Sequence, residues 1–294
     1  MSEAELSRHL RQLRQQVEEH NWRYYALDQP EISDSEYDRL MSELAEIERQ
    51  HPELVTADSP TQRVGSPASG QFSKVRHSSA MLSLANAFSE GELAEWQRRV
   101  SGAVGGQVDY AVELKIDGLA ISLTYERGRL VRGATRGDGR VGEDVSANLM
   151  TIKSIPLRLR HRDGLADQVE IRGEVYMPKR SFRELNLEMQ REGRQPFANP
   201  RNAAAGSVRQ LDPKVTASRN LMAFMYAMDP SDPASSQSEL LDQLVSLGMR
   251  VNPTWRLCHG IGEVLEYYHH WQRRRDELDY EIDGTVVKVD CFAQ

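Results

Sequence analysis

Val108-Asp-Tyr-Ala-Val-Glu-Leu-Lys-Ile-Asp-Gly-Leu-Ala-Ile-Ser-Leu-Thr-Tyr-Glu-Arg-Gly-Arg-Leu-Val-Arg-Gly-Ala134 is the run from which the rest of the chain is most readily understood. Val108–Ile116 and Ala120–Glu126 read as strands, the first ending in the Asp117-Gly118 turn. Arg127-Gly128 reads as a hairpin turn into a third strand, Leu130–Ala134. Val169–Tyr176 is a further strand, and Asp279–Val289 reads as strand, turn, strand. Ser181-Phe-Arg-Glu184 opens a helix that Gly193 ends. Leu240–Leu247 is a helix with Gly248 at its C′ position, and Val264–Arg275 is another. Antiparallel hairpins interspersed with helices predict an α+β fold rather than a doubly wound parallel sheet.

Upstream of this run the pattern is purely helical. Leu6, Leu10, Leu13 and Val17 recur at spacings of three and four, the period of one helix face. After a break at Asp28-Gln-Pro-Glu-Ile-Ser33, Ser33-Asp-Ser-Glu36 fits a capping box, and Leu40, Leu44 and Ile47 continue a second amphipathic helix. From His51 to His77 periodicity fades among Pro52, Pro60, Gly65, Pro67 and Gly70, which reads as a connector with a domain boundary near residue 70. The expected organisation is a small helical domain, residues 1–70, followed by a domain of antiparallel sheets with flanking helices, residues 71–294.

The 294 residues suffice to bury a sizeable core. No apolar run approaches the roughly 20 residues of a membrane span, and the N-terminus lacks the basic-then-apolar pattern of a secretory signal. Cys258 and Cys291 stand alone, which suits a reducing compartment and supplies no four-ligand zinc site. A cytoplasmic location is expected. The formal net charge of −7 argues against a chain that grips nucleic acid mainly through phosphates.

Chemistry concentrates at Val112-Glu-Leu-Lys-Ile-Asp-Gly-Leu-Ala120. Strand alternation puts Glu113, Lys115 and Asp117 on one face. A solvated face carrying an ion pair is the ordinary reading of such a pattern. The other is a nucleophilic lysine, for which burial and cationic neighbours would favour the neutral, attacking amine. His269 and His270, on the last helix, read as surface residues.

Lys115-Ile-Asp-Gly118 resembles the first motif of the covalent nucleotidyltransferases, the superfamily of DNA ligases, RNA ligases and capping enzymes, and the expected partners follow in order. Ala134-Thr-Arg-Gly-Asp-Gly139 resembles the segment whose arginine binds the nucleotide, which points to Arg136. Ile171-Arg-Gly-Glu-Val-Tyr176 resembles the strand whose glutamate meets the nucleotide, which points to Glu174. Glu281-Ile-Asp-Gly-Thr-Val-Val-Lys288 resembles the late Asp-Gly-x-Val-x-Lys motif, which points to Lys288 at the α-phosphate. Tyr226 stands where these enzymes place an aromatic against adenine, and Glu113 is grouped with the nucleotide contacts.

Three further stretches are similar to the bacterial NAD-dependent DNA ligases in particular. Phe197-Ala-Asn-Pro-Arg-Asn-Ala-Ala-Ala-Gly-Ser-Val-Arg-Gln-Leu-Asp212 resembles a signature of that family, with Arg201 and Arg209 near phosphates, a task suited to the guanidinium fork. Met81-Leu-Ser-Leu-Ala-Asn86 resembles its nucleotide contact through Ser83 and Leu84, and Arg275 resembles another phosphate contact. Tyr24-Tyr-Ala-Leu-Asp-Gln-Pro-Glu-Ile-Ser-Asp-Ser-Glu-Tyr-Asp38 resembles the module that holds the nicotinamide mononucleotide (NMN) half of NAD. Tyr24, Tyr25, Asp34, Ser35, Glu36, Tyr37 and Asp38 are its expected contacts. Tyr25 stands where the family commonly has histidine, and one of the three tyrosines is expected to serve as core.

The resemblance implies a ligase-type, ATP-grasp-like nucleotidyltransferase domain behind an NMN-binding one. Lys115 would take AMP from NAD with Asp117, Glu174 and Lys288 as catalytic partners, Mg2+ offsetting phosphate charge. The family continues into regions with a second lysine motif, an OB-fold, a zinc module and DNA-encircling domains. The chain therefore reads as a monomeric fragment capable of at most self-adenylation. Nicked duplex DNA would be the substrate of the longer enzyme and bind weakly or not at all here, with zinc confined to the C-terminal part. Rival readings are an ATP- or GTP-using RNA ligase or capping enzyme, and a non-catalytic NAD- or NMN-binding module. A structural or adhesion protein would account for none of the ordered motifs.

Overall fold

A computed structural model describes residues 3–25, 27, 29, 31–64, 71–161 and 164–294, without the side chains of residues 3, 4, 34, 35 and 64. Helix α1 (Glu3–Tyr25) and helix α2 (Asp34–Gln50) form an antiparallel hairpin. Leu10, Leu13 and Val17 of α1 close on Leu44 of α2, so the three-and-four spacing becomes a buried seam. Ser33 caps α2 in a complete capping box with Glu36, as its sequence predicts.

The expected connector is more ordered than its composition suggests. Two 3₁₀ turns, Pro52–Leu54 and Pro60–Val64, pack back onto the hairpin. Buried Glu48 organises them, accepting from Arg14 at 2.6 Å and from Ser59 at 2.7 Å, while Arg14 also donates to the Leu54 carbonyl at 2.7 Å. Buried polar groups that find partners in this way offset their desolvation.

The remainder is built from strand β1 (Lys74–Arg76), helix α3 (Glu90–Val104), and strands β2 (Tyr110–Ile116), β3 (Leu119–Glu126), β4 (Arg129–Thr135) and β5 (Val141–Glu143). Helix α4 (Ser146–Leu149), strand β6 (Gln168–Tyr176), helices α5 (Lys179–Arg191), α6 (Pro200–Val208) and α7 (Pro213–Ala217) and strand β7 (Met222–Asp229) follow. Helix α8 (Gln237–Ser246), strand β8 (Arg256–Cys258), helix α9 (Ile261–Arg274) and strand β9 (Ile282–Val289) complete the chain. Among the described residues three antiparallel sheets result, in orders β4-β3-β6-β7, β8-β2-β9 and β1-β5. This is the α+β architecture expected from the sequence.

The largest core lies under the four-stranded sheet, where Ile121, Leu123, Ile171 and Met225 meet Leu149, Leu185, Ala203 and Leu241. A second joins the three-stranded sheet to α3 and α9 through Tyr110, Val112, Leu114, Val264 and Tyr267. Arg127 and Gly128 both have positive φ, as a tight hairpin turn requires.

Two expectations need correction, and one helix was not foreseen. Asp279–Val289 is not strand, turn, strand, because Asp283-Gly284 falls inside β9 as a bulge where β2 pairs with it. The α5 helix begins at Lys179 after Pro178, ahead of Ser181, and makes no side-chain cap. Helix α3 was not predicted; Ser89 caps it and it presents Leu93, Trp96 and Val100 to the second core.

Candidate active site

Strand β2 is buried along its length except at one residue, Lys115. As the central strand of its sheet, covered on both faces, it needs a continuous apolar run, and the lysine interrupts that run where the cover ends. Its side chain is 47% exposed, and Nζ donates to both oxygens of Asp283, at 2.9 and 2.7 Å. The register explains the contact. Lys115 pairs with Gly284 and Ile116 with Ile282, leaving Asp283 as the extra residue of a bulge. The burial that would favour a neutral amine is not found. Lys115 sits at the open end of the strand against the Asp283 carboxylate.

Asp117 follows at the turn, its backbone N–H donating to the Glu281 carbonyl at 2.9 Å and its carboxylate accepting from Arg201 at 3.1 Å. Gly118 is demanded by the approach of this turn to β6: a Cβ there would lie 2.2 Å from the Val175 carbonyl oxygen. The same approach brings up Glu174, whose register partners are Ala120 and Phe224. Burial pushes the Glu174 carboxyl up to about 7, against the lowering influence of Lys115 and Arg201 and with Asp283 and Asp117 adding to the rise. Four ionisable groups, Asp117, Glu174, Arg201 and Asp283, from four separate segments therefore meet around one amine.

A second cluster lies farther along β2. Glu113, only 7% exposed, accepts from Lys288 at 2.9 Å and from Gln237 at 3.1 Å. Gln237 also donates to the Tyr226 carbonyl at 2.9 Å, and the Lys288 ammonium lies 5.4 Å from the Tyr226 ring centroid. Burial raises the Tyr226 phenol above its ordinary value. Lys288 pairs with Ala111, four residues before Lys115, so its amine belongs to this aromatic cluster and not to the Lys115 end. Arg136 borders the site from the end of β4 and donates to the Ser83 hydroxyl at 3.3 Å, with Leu84 61% exposed beside it.

The other expected residues divide. Arg209 is engaged by Glu143 at 2.7 Å, and Arg275 by Glu281 at 3.5 Å. In the helical unit, Tyr24 and Tyr25 are adjacent rings 4.7 Å apart, and the Tyr25 carbonyl accepts from Arg250 at 2.5 Å. Tyr37 is the core tyrosine, packed against the α1–α2 seam with its hydroxyl donating to Asn21 at 2.8 Å. The Glu36 carboxylate is engaged in the α2 cap, accepting from the Ser33 backbone at 3.0 Å and hydroxyl at 2.8 Å. Asp38 is exposed, and the side chains of Asp34 and Ser35 lie outside the described residues. Sequence reasoning missed two participants, Asp283 and Gln237. Asp283 lies within the quoted Glu281–Lys288 motif, so a signal was present; Gln237 had none.

Lys115 at the strand end, the Asp283 carboxylate, partly buried Glu174 and the Asp117–Arg201 pair thus lie together where the two larger sheets approach. Residues 69–294 match the family described as the NAD-dependent DNA ligase adenylation domain, and residues 3–65 match the DNA ligase-like N-terminal NAD+-binding domain. The chain belongs to the NAD-dependent DNA ligase family. Among its relatives, a DNA ligase of Desulforamulus reducens is 55% identical over 96% of this chain and 42% of its own length. One of Anoxybacillus flavithermus is 51% identical over 100% of the chain and 43% of its own length, and one of Carboxydothermus hydrogenoformans is 52% identical over 100% and 44%. The chain thus spans less than half the length of these curated relatives. No helix among the described residues is long and apolar enough to cross a membrane.

Proposed function

We propose that Lys115 attacks the α-phosphorus of NAD, forming an N–P bond to AMP as the P–O bond to the NMN phosphate breaks and NMN leaves with the electron pair. The observation that carries this reading is the bidentate Lys115–Asp283 contact beside Glu174. Asp283 is within reach to take the proton that the ammonium must lose before it attacks. Asp117 and Arg201 brace each other at the turn, and Arg201, Arg209 and Arg275 supply positive charge toward phosphates. Glu113, Lys288 and Tyr226 form the end that receives the base, with Arg136, Ser83 and Leu84 closing over the nucleoside. This assigns Lys288 to the base rather than to the α-phosphate.

In the same reading residues 1–70 are a domain that holds NMN in line with the amine, through Tyr24, Tyr25, Asp34, Ser35, Glu36, Tyr37 and Asp38, and residues 71–294 are the adenylation domain. Magnesium is proposed as a counter-ion accompanying the phosphates; among the described residues no three carboxylates, imidazoles or thiols converge to hold an ion. The protein of which these residues form part would pass AMP to the 5′-phosphate of a nick and seal it. It would act as a cytoplasmic monomer, with zinc and most of the DNA grip carried by its other regions. Intact-protein mass spectrometry after incubation with NAD and magnesium tests the central step. One AMP should be gained with NAD and not with ATP, and Lys115→Ala should gain none. Binding of NAD without any mass gain would replace this reading with that of a non-catalytic NAD-binding module.

A further inference from the structure

Between β1 and α3 the chain runs without regular secondary structure, and Leu82 to Phe88 are all exposed, Phe88 to 86%. An unpaired, largely apolar strap of this kind has no ladder to hold it, yet it carries Ser83 and Leu84 over the nucleotide end of the site. Among the contacts that hold it is an ion pair on β6. Glu170, 4% exposed, accepts from the Ser78 backbone at 3.2 Å, from the Ser78 hydroxyl at 2.5 Å and from Arg172 Nε at 2.9 Å. Burial alone would raise the Glu170 carboxyl, but these hydrogen bonds outweigh it and hold the group below its ordinary value.

Arg172 turns its other nitrogens onto the strap itself. Nη2 donates to the Ser79 carbonyl at 2.7 Å and to its hydroxyl at 2.6 Å, and Nη1 donates to the Ala80 carbonyl at 3.1 Å. The Ser79 hydroxyl in turn donates to Asp229 at 2.5 Å on the neighbouring strand β7. The next residue is fixed as well: Met81 N–H donates to the Gly139 carbonyl at 2.8 Å, in the loop that carries Arg136. Arg172 lies two residues before Glu174 and on the same face of β6, with Ala227, next to Tyr226, as its register partner. The guanidinium that anchors the strap therefore rises from the floor of the site.

We propose that Arg172, buttressed by Glu170, is a positioning residue for nucleotide recognition: it clamps Ser79 and Ala80 so that Ser83 and Leu84 are held over the nucleoside. The inference rests on the proposed adenylation reading for its functional consequence, although the clamp is independent of it. A fork is needed because one side chain must serve two successive carbonyls and a carboxylate at once. An ammonium could pair with Glu170 but could not span all three.

The test compares wild type, Arg172→Ala, Arg172→Lys and Ser79→Ala by amide hydrogen exchange of residues 78–88 and by single-turnover AMP uptake across NAD concentrations, which gives a half-saturating concentration (KM) and a limiting rate constant (kcat). Ser79→Ala keeps the ion pair and removes only the hydroxyl link, so it stays informative should the arginine variants fold poorly. Exchange in the strap should rise roughly tenfold in Arg172→Ala and nearly as much in Arg172→Lys, and by less in Ser79→Ala. The KM for NAD should rise by about tenfold in both arginine variants while kcat changes by less than about threefold. Unchanged exchange would remove the clamp, and faster exchange at constant KM would remove its role in recognition. Loss of kcat at constant KM, or full rescue by lysine, would mean that Arg172 acts by its charge on the reacting atoms and would overturn the proposal. If wild type itself takes up no AMP, the adenylation reading fails while the exchange data still decide the clamp.

Discussion

Lys115 and Asp283 meet through both carboxylate oxygens in a half-exposed setting, so the pair is an exchangeable hold on the amine and not a stability element. Glu174 differs, because its environment is dry enough to change its protonation. Its carboxyl titrates near 7 in the folded chain, against 4.5 for the unperturbed group. The sign follows directly. Below 4.5 it is protonated in folded and unfolded chains alike; between 4.5 and 7 only the unfolded chain ionises; above 7 both do, and the folded chain bears the cost of a buried charge. Stability associated with Glu174 is therefore present at low pH and lost as pH rises through 7. Glu174→Gln should melt close to wild type at pH 5 and above it at pH 8, by on the order of 2–3 kcal/mol. Paired thermal melts at the two pH values measure this, and a difference that shrinks with rising pH would contradict it. Lys115, Asp117 and Glu174 were each legible in the sequence because each sits in a short motif with its neighbours. Asp283 was printed in such a motif but not singled out, since its task is defined only by the strand lying opposite.

Strand β2 and the turn after it show how an element is shaped to carry such residues. The Asp117-Gly118 turn presses so closely on β6 that a methyl group has no space, with Val175 O at 2.2 Å and Glu174 Cγ at 2.9 Å from a Cβ at Gly118. Gly118→Ala should push the turn off β6, cost about 1–3 kcal/mol in chemical denaturation, and reduce AMP uptake beyond what the loss of folded protein explains. An alanine variant that retains full uptake would remove the turn from the site. Local pattern was a good guide to most of these elements, since alternation and turn residues act over a few positions. It failed at β9, where Asp283-Gly284 has the composition of a turn. There Gly284, at φ 152°, instead accommodates a bulge while pairing with β2 continues on both sides. It failed again at α3, whose apolar residues find their partners only on α9 and the three-stranded sheet.

Across the whole molecule, a set of polar contacts fastens the helical unit to the sheets. Arg63, in the last 3₁₀ turn before residue 65, donates through Nη1 to the carbonyls of Met150, Ile152 and Ile155 at 3.0, 3.2 and 3.0 Å. Arg160 adds a 2.7 Å contact to Glu19 and lies 4.1 Å from the Trp22 ring centroid, and Arg129 pairs with Asp58. Removing this donor strips a partner from three carbonyls, of which Ile152 keeps its bond from the Ile155 N–H, so Arg63→Met should cost about 2–4 kcal/mol. It should also split a single calorimetric transition into two as the helical unit melts separately; one unbroken transition would show that the docking lies elsewhere. Local patterning and an order of motifs are properties of the chain as written, and they carried the fold class, the family and most of the expected site residues. Periodicity, capping and turn chemistry act between near neighbours, which is why these were readable along the sequence. The Lys115–Asp283 hold spans 168 positions, the Arg63 contacts span 87 to 92, and the move of Lys288 to the Tyr226 end follows from its register against β2. Such contacts depend on which strand lies beside which, in what register and over which core. Those relations arise only when the sheets assemble, and no local pattern encodes them.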